Sequence, residues 1–132
     1  MMKSASRSPE AQGYRSTTDW ESVVLPGVRY EIVRPSLARR AELTRSLYPI
    51  AQRLERELAG QSVSDQCAAA VSLSEIDLEL LKWGLKSLEG LSIDGTAATP
   101  ALLREAGPEE LCREITARIR MECGLTGEER KN

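Results

Sequence analysis

The sequence predicts a mainly α-helical protein of one small domain, with a β-hairpin near the N-terminus and a short third strand as an option. Aromatic residues make up only 4% of the chain and Phe is absent, so Leu, Ile, Val and Ala must fill the core. This composition favours packed helices over a β-sandwich. Apolar residues also recur at three- and four-residue steps through much of the chain. With 132 residues there is room for one domain.

The domain is expected to begin after a short N-terminal arm. Residues 1–18 are rich in Ser and show no apolar period, which is typical of a flexible segment. The remaining residues, 19–132, are expected to form the single helical domain, with the hairpin within residues 19–34.

Two short apolar runs predict this hairpin. Val23–Leu25 leads into Pro26 and Gly27, a pair suited to a tight turn. Val28–Val33 then alternates in the two-residue period of a half-buried strand. Trp20 is expected to anchor the hairpin to the helices, because a hairpin alone is marginally stable.

The first helix is expected to begin after Ser36, whose hydroxyl can cap the free N–H groups. An apolar stripe continues from there towards Gly60, which should end the helix. Pro49 interrupts the stripe. Because Pro lacks an N–H group and clashes with the preceding turn, it should kink the helix or end it near Leu47.

The longest helical pattern runs from Ser64 to Leu88. Ser72 or Ser74 could instead cap a shorter second helix within it. A helix that is apolar on two sides lies at the centre of a bundle or is covered by a partner. The wide stripe from Ile76 to Leu88 is the candidate wall of a partner-binding groove. Three leucines widen it beyond one face and are the candidate partner-binding residues: Leu78, Leu81 and Leu85.

A short strand and turn should follow this helix. Leu91 and Ile93 alternate with a polar residue, and Asp94-Gly95 is a strong turn signal. This strand could extend the first hairpin.

Two helices complete the pattern. Thr99-Pro100 resembles a helix cap followed by Pro at the first helical position, which predicts a short helix over Ala101–Ala106. A longer helix is expected over Pro108–Cys123. Its apolar face holds Leu111, Cys112, Ile115 and Ile119, and its outward face Arg113, Glu114, Arg118, Arg120 and Glu122.

Residues able to carry out catalysis or bind a cofactor do not form a recognisable pattern. The chain has no His, and no glycine-rich phosphate loop follows a strand. Cys67, Cys112 and Cys123 lie too far apart for a metal-ligand motif and are expected to be reduced, mostly buried thiols in a cytoplasmic protein. No apolar run approaches the roughly 20 residues needed to cross a membrane. The sequence therefore predicts a non-enzyme without cofactor or metal.

Charge is distributed unevenly along the chain. Residues 1–56 carry a net +4 and residues 57–132 a net −6, in agreement with the overall −2. Such a chain could pair head to tail with itself or a partner, but is a poor match for nucleic acid. A basic cluster near the first helix is either a solvated face or a docking surface for an acidic segment of another copy or a partner. It comprises Arg34, Arg39, Arg40 and Arg45.

An ordered series of short motifs resembles the tail assembly chaperones encoded in siphophage and prophage tail modules. The resemblance covers residues 20–132. Its motifs are Arg-Pro-Ser-Leu (34–37), Trp-Gly-Leu (83–85), Leu-Glu-Gly-Leu-Ser-Ile-Asp-Gly (88–95), Ala-Thr-Pro-Ala-Leu-Leu (98–103), Gly-Pro-Glu-Glu-Leu (107–111) and Glu-Cys-Gly-Leu-Thr (122–126), followed by Glu-Glu-Arg-Lys-Asn (128–132).

The resemblance implies a non-enzymatic adaptor of the host cytoplasm, absent from the finished virion. Such a protein binds the tape-measure protein, helps to recruit tail-tube subunits and can self-associate. No catalytic residues transfer. We expect partner binding at the leucine groove described above and at Arg39, Arg40 and Arg45. The alternatives are a virion structural protein, such as a head–tail connector or tail-terminator subunit, and a small helical regulator of transcription.

The last residues suggest a further property of this family. Lys131-Asn132 can be encoded by AAA-AAC, which after a preceding A forms a heptamer on which ribosomes slip back one frame. The resemblance implies a longer frameshifted form, of which this chain would be the short version.

Overall fold

Four helices pack with a small antiparallel sheet in the computed structural model, which describes residues 10–125. The prediction of a mainly α-helical domain is confirmed. The elements in chain order are β1 (Thr17–Glu21), β2 (Arg29–Val33), α1 (Leu37–Ala59), α2 (Val63–Gly84), β3 (Leu85–Glu89), β4 (Ser92–Ile93), β5 (Thr96–Ala97), α3 (Pro100–Ala106) and α4 (Glu109–Glu122).

The N-terminal hairpin is present, but its first strand was wrongly placed. The strand is Thr17–Glu21, whereas Val23–Leu25 belongs to the connection before β2. Trp20 pairs with Tyr30, so that their side chains share the face that packs on the helices. Val23 is 72% exposed, because the chain has already left the sheet there. The expected arm over residues 1–18 is also too long, since β1 begins inside it; residues 1–9 lie outside the described part.

The third strand of this sheet is β3, at the position predicted to be the end of the long helix. The strand order is β1-β2-β3, with Leu88 opposite Tyr30. Pairing with the apolar face of β2 therefore overrides the helical pattern of Leu85 and Leu88. The predicted turn at Asp94-Gly95 is confirmed, with φ values of 51° and 80°, but it joins β4 and β5 in a separate two-stranded sheet.

Helix α1 begins as predicted and continues past its proline. The Ser36 hydroxyl accepts a hydrogen bond from the Arg39 N–H at 3.2 Å, and the helix ends before Gly60. The predicted break near Leu47 is wrong. Pro49 lies on an exposed part of the helix, where water can solvate the Arg45 carbonyl that loses its intrahelical partner.

Helix α2 is a single helix capped by Ser62, whose hydroxyl accepts from the Asp65 N–H at 3.0 Å. The alternative start at Ser72 or Ser74 is therefore wrong. Ser72 is buried against α1, and its hydroxyl donates to Glu57 at 2.7 Å.

The core lies between α2, α4 and the sheet. The predicted apolar face of α4 is confirmed, since its three large aliphatic side chains are fully buried. They pack with residues of β2, α2 and α3, and the cluster includes Ile32, Leu80, Leu81, Leu103, Leu111, Ile115 and Ile119.

The last residue of α2 should not tolerate a side chain. A Cβ atom at Gly84 would lie 2.7 Å from Cδ1 and 2.9 Å from Cγ1 of the buried Ile119. We expect Gly84→Ala to lower the free energy of unfolding in urea by about 1–3 kcal/mol, because the α2–α4 contact would be overpacked. Gly13→Ala is the control, since nothing lies within 4 Å of its Cβ position. Equal stability of the two variants would show that α4 moves aside freely.

Candidate protein-binding surfaces

The three leucines predicted to form a groove wall do not share one environment. Leu81 and Leu85 are only 2% and 5% exposed and belong to the core, whereas Leu78 is 43% exposed. The prediction that all three line an open groove is therefore wrong. Helix α2 packs against α4, α3 and β2, and this packing encloses Leu81 and Leu85. The two leucines therefore stabilise the core and are not available to a partner.

The basic cluster is divided among three different roles. The Arg39 guanidinium lies 4.9 Å from the centre of the Trp83 ring, and the Trp83 Nε1–H donates to the Arg39 carbonyl at 3.0 Å. Arg40 donates from Nη1 to the Cys123 carbonyl at 2.8 Å, at the end of α4. Arg45 is exposed to solvent. Arg39 therefore joins α1 to α2, and Arg40 and Arg45 remain beside the open surface of α1.

An apolar cleft opens between α1 and the end of α4, beside Arg40. Its volume is about 280 Å³, and Arg40 lies at its border. Tyr48 is 60% exposed at the cleft, whereas Leu43 is buried at 4%. We call this surface the α1–α4 cleft; its apolar lining comprises Leu43, Leu47, Tyr48, Ala51, Cys123 and Leu125.

A second open surface lies on the N-terminal half of α2. Its residues follow helical spacing along one face, and Val63 and Val71 are 75% and 60% exposed. We call this surface the α2 face; it comprises Val63, Cys67, Ala70, Val71, Ser74 and Leu78. Sequence reasoning missed it, although a signal exists: residues 61–74 include only one charged residue, Asp65.

The most highly coordinated carboxylate, Glu114, anchors a loop to α4. Oε1 accepts hydrogen bonds from the Ser22 hydroxyl at 2.9 Å and from the N–H groups of Val23 and Val24 at 3.1 Å. Oε2 accepts from the Tyr30 hydroxyl at 2.7 Å. The prediction that Glu114 faces out into solvent is therefore wrong, because the β1–β2 connection folds over it.

Two opposing effects set the pKa of Glu114. Burial would raise this pKa, but hydrogen bonds from the Val24 N–H, Tyr30, Ser22 and the Val23 N–H lower it below its ordinary value. Burial and the bond to Glu114 in turn raise the pKa of Tyr30 to about 12. A proton therefore stays on the phenol and the carboxylate stays ionised, as a structural hydrogen-bond acceptor.

Other outward residues of α4 also pack against neighbouring elements. The Arg118 guanidinium lies 4.0 Å from the centre of the Trp20 ring. Arg120 donates to Asp77 of α2 at 2.9 Å. These contacts join α4 to β1 and α2, which helps to fix the orientation of the sheet on the helices.

The cysteines differ in burial. Cys123 is buried and Cys112 half-buried, but Cys67 is exposed on α2, contrary to the expectation of mostly buried thiols for that residue. Burial raises the pKa of both Cys112 and Cys123. Among residues 10–125, no group of three or more His, Cys, Asp or Glu side chains is placed to hold a metal ion. No helix in the same range is both long and apolar enough to span a bilayer.

The α1–α4 cleft and the α2 face are both suited to contact with other helices, because each presents apolar side chains on a helical element. Comparison of the chain with protein-family models, with curated proteins and with solved structures finds no match.

Proposed function

We propose that this chain is a tail assembly chaperone, a non-enzymatic adaptor that binds the tape-measure protein and helps to recruit tail-tube subunits in the host cytoplasm. The α1–α4 cleft is the observation that carries the proposal, because it offers an open apolar site beside the cationic side chain of Arg40. The ordered motifs over residues 20–132 support the same role. The protein would leave the assembly before the virion is complete.

The cleft suits the chemistry of a tape-measure protein. Such a protein is a long, apolar, helix-rich chain that must be covered until the tail tube polymerises around it. An amphipathic helix docks by placing a few apolar side chains into a groove on its partner. A cleft of about 280 Å³ is large enough to take anchoring side chains of this kind.

Arg40, at the border of the cleft, would orient such a helix. At 100° per residue, Arg45 projects about 60° beyond Tyr48, away from the rest of the lining. An acidic residue at the edge of the docked helix would meet Arg40. Charges at the rim of an interface chiefly affect association rate and specificity, so Tyr48 and its apolar neighbours should supply most of the affinity.

We expect Tyr48→Glu to abolish co-purification of the tape-measure protein of the same tail module with the tagged chain. A carboxylate would have to be buried against Leu47 and Leu125, and loss of an interface anchor typically weakens binding by about 2 kcal/mol or more. Leu58→Glu is the matched control, because Leu58 is 64% exposed on the same helix and does not line the cleft. Helical circular dichroism should be unchanged in both variants. Retention of the tape-measure protein by Tyr48→Glu would contradict the assignment of the cleft.

The alternative is a virion structural protein, such as a head–tail connector or tail-terminator subunit. Subunits of that kind contact one another in rings, and the α2 face offers a surface for such contact. The two functions differ in whether the chain stays in the finished particle.

A further inference from the structure

We propose that the outer edge of β1 binds an extended segment of a partner protein, which adds a strand to the sheet and carries basic side chains at alternate positions. Addition of a strand to a sheet edge is a recurring mode of peptide recognition. The inference does not depend on the proposed function, because β1 contributes no residue to the α1–α4 cleft and would bind a strand, not a helix.

Alternate backbone groups of β1 point away from the sheet. Within residues 10–125, β1 pairs with β2 alone, since the strand order is β1-β2-β3. The Ser22 N–H donates to the Val28 carbonyl at 2.7 Å, so the even-numbered residues of this antiparallel pair direct their backbone groups towards β2. The N–H and C=O groups of Asp19 and Glu21 therefore face outwards. Both residues are exposed, so that a further strand can reach these groups.

Exposed apolar surface lies beside this edge, on the inner face of the sheet that packs on the helices. Trp20 is half-buried there, and the Arg118 guanidinium of α4 lies 4.0 Å from the centre of its ring. Glu114, one turn earlier in α4, accepts from Ser22 just after β1. At 100° per residue, Met121 projects within about 20° of Glu114, on its solvent side, and is 58% exposed. Apolar side chains of an added strand would therefore lie next to Trp20 and Met121.

The outer face of the edge is acidic and favours basic side chains in the added strand. Asp19 and Glu21 lie on this face, and β1 itself contains no cationic residue. Arg15 pairs with Asp19 at 3.0 Å, whereas Glu21 forms no ion pair within residues 10–125. Lys or Arg side chains opposite these two carboxylates would form cross-strand pairs of opposite charge, which stabilise a sheet.

The same charges disfavour a second copy of β1 as the added strand. In an antiparallel pair of β1 strands, Asp19 would lie opposite Asp19 or Glu21 of the other copy, and like charges opposite one another are destabilising. Charged side chains commonly protect an edge strand from self-pairing in this way. The occupant is therefore a partner strand of alternating apolar and basic residues. It runs antiparallel to β1, because antiparallel pairing is the more stable per residue.

Amide hydrogen exchange of the intact chain, followed by NMR, tests the edge. In the free chain the N–H groups of Asp19 and Glu21 should exchange faster than those of Thr18 and Trp20, which bond to β2. The probe is the peptide acetyl-Val-Lys-Val-Lys-Val-amide at about 1 mM, well above an expected Kd of about 100 µM. It should slow exchange at Asp19 and Glu21 by about ten-fold. Slow exchange of these two N–H groups in the free chain would show that the edge is already covered. That result, or exchange that the peptide does not slow, would overturn the proposal.

A charge reversal on β1 tests the preference for a basic strand. Glu21→Lys should weaken binding of the same peptide by about three-fold or more, because an attractive cross-strand pair becomes repulsive. Glu55→Lys is the matched control, since it makes the same change at an exposed residue of α1 and should leave the Kd unchanged. Circular dichroism should be the same for both variants. Equal weakening by the two substitutions would show only a general attraction of a basic peptide to an acidic chain and would overturn the site.

N-methylated peptides test the backbone pairing without any change to the protein. In the antiparallel register the Lys residues of the peptide lie opposite Asp19 and Glu21 and donate their N–H groups to β1. N-methylation of either Lys amide should therefore abolish binding. N-methylation of the central Val amide, whose N–H points away from β1, should be tolerated. Equal binding of the two methylated peptides would exclude strand addition, and loss of binding with the Val-methylated peptide alone would overturn the antiparallel register.

Discussion

Glu114→Ala is expected to lower the free energy of unfolding by about 2–4 kcal/mol, because it removes the acceptor for two buried hydroxyl groups and two N–H groups. Ser22 is 4% exposed and Tyr30 2%, so water cannot easily replace the carboxylate. The N–H groups of Val23 and Val24 are exposed and should be solvated at smaller cost. Urea unfolding followed by circular dichroism measures the effect. Glu110→Ala, at an exposed site on the same helix, should change stability by less than about 0.5 kcal/mol. Equal effects of the two substitutions would contradict the anchoring role.

The contribution of Glu114 to the free energy of unfolding should also depend on pH. Its pKa is lowered in the folded state, so the unfolded chain takes up the proton first as the pH falls. The stabilisation is therefore complete above the ordinary value of 4.5 and is lost as the pH falls through the lower folded-state pKa. The stability difference between the wild type and Glu114→Gln should narrow over that acidic range. A constant difference would show that the carboxylate does not contribute through its charge.

Leu81→Ala is expected to lower the free energy of unfolding by about 2–5 kcal/mol, the range for a large-to-small change in a packed core. Leu81 is 2% exposed and lies in the core cluster with residues of α3 and α4. Leu78→Ala is the matched comparison, with the same atoms removed one turn earlier at a side chain that is 43% exposed. It should lower the free energy of unfolding by about 1 kcal/mol, since 43% of its surface is already in contact with water. Urea midpoints that agree for the two variants would contradict the division of the leucines into core and surface.

The helices were predicted best where local signals coincide with apolar spacing. Ser36 and Thr99 accept the capping hydrogen bonds expected from their positions. The buried face of α4 follows directly from the period of Leu111, Ile115 and Ile119. A helix cap depends on residues within one turn, and a buried face on the apolar spacing of one helix. Both features can therefore be predicted from the sequence.

The sheet was predicted less well because its strands depend on distant partners. Leu85 and Leu88 continue the helical period of α2, yet they pair with β2, more than 50 residues earlier in the chain. Thr17 and Thr18 carry no apolar period of their own and join the sheet only through β2. Short strands of this kind take their conformation from their neighbours.

The candidate surfaces were predicted only in part. The sequence groups Leu78 with Leu81 and Leu85 in one groove wall, because nothing local distinguishes Leu78 from Leu81, which α3 and α4 bury. Arg39 was grouped with Arg40 and Arg45, because the position of Trp83 beneath it depends on the packing of α1 on α2. The α2 face could have been found from the lack of charge between residues 61 and 74.

The central claim is that the chain accompanies the tape-measure protein during assembly and then leaves. Quantitative mass spectrometry of two fractions from the same infected or induced cells tests it most directly: tape-measure complexes isolated from the lysate, and purified finished particles. We expect this chain to be abundant beside the tape-measure protein in the first fraction and missing from the second. Its recovery in finished particles at a fixed ratio to the tape-measure protein would contradict the chaperone function and identify a structural subunit of the virion.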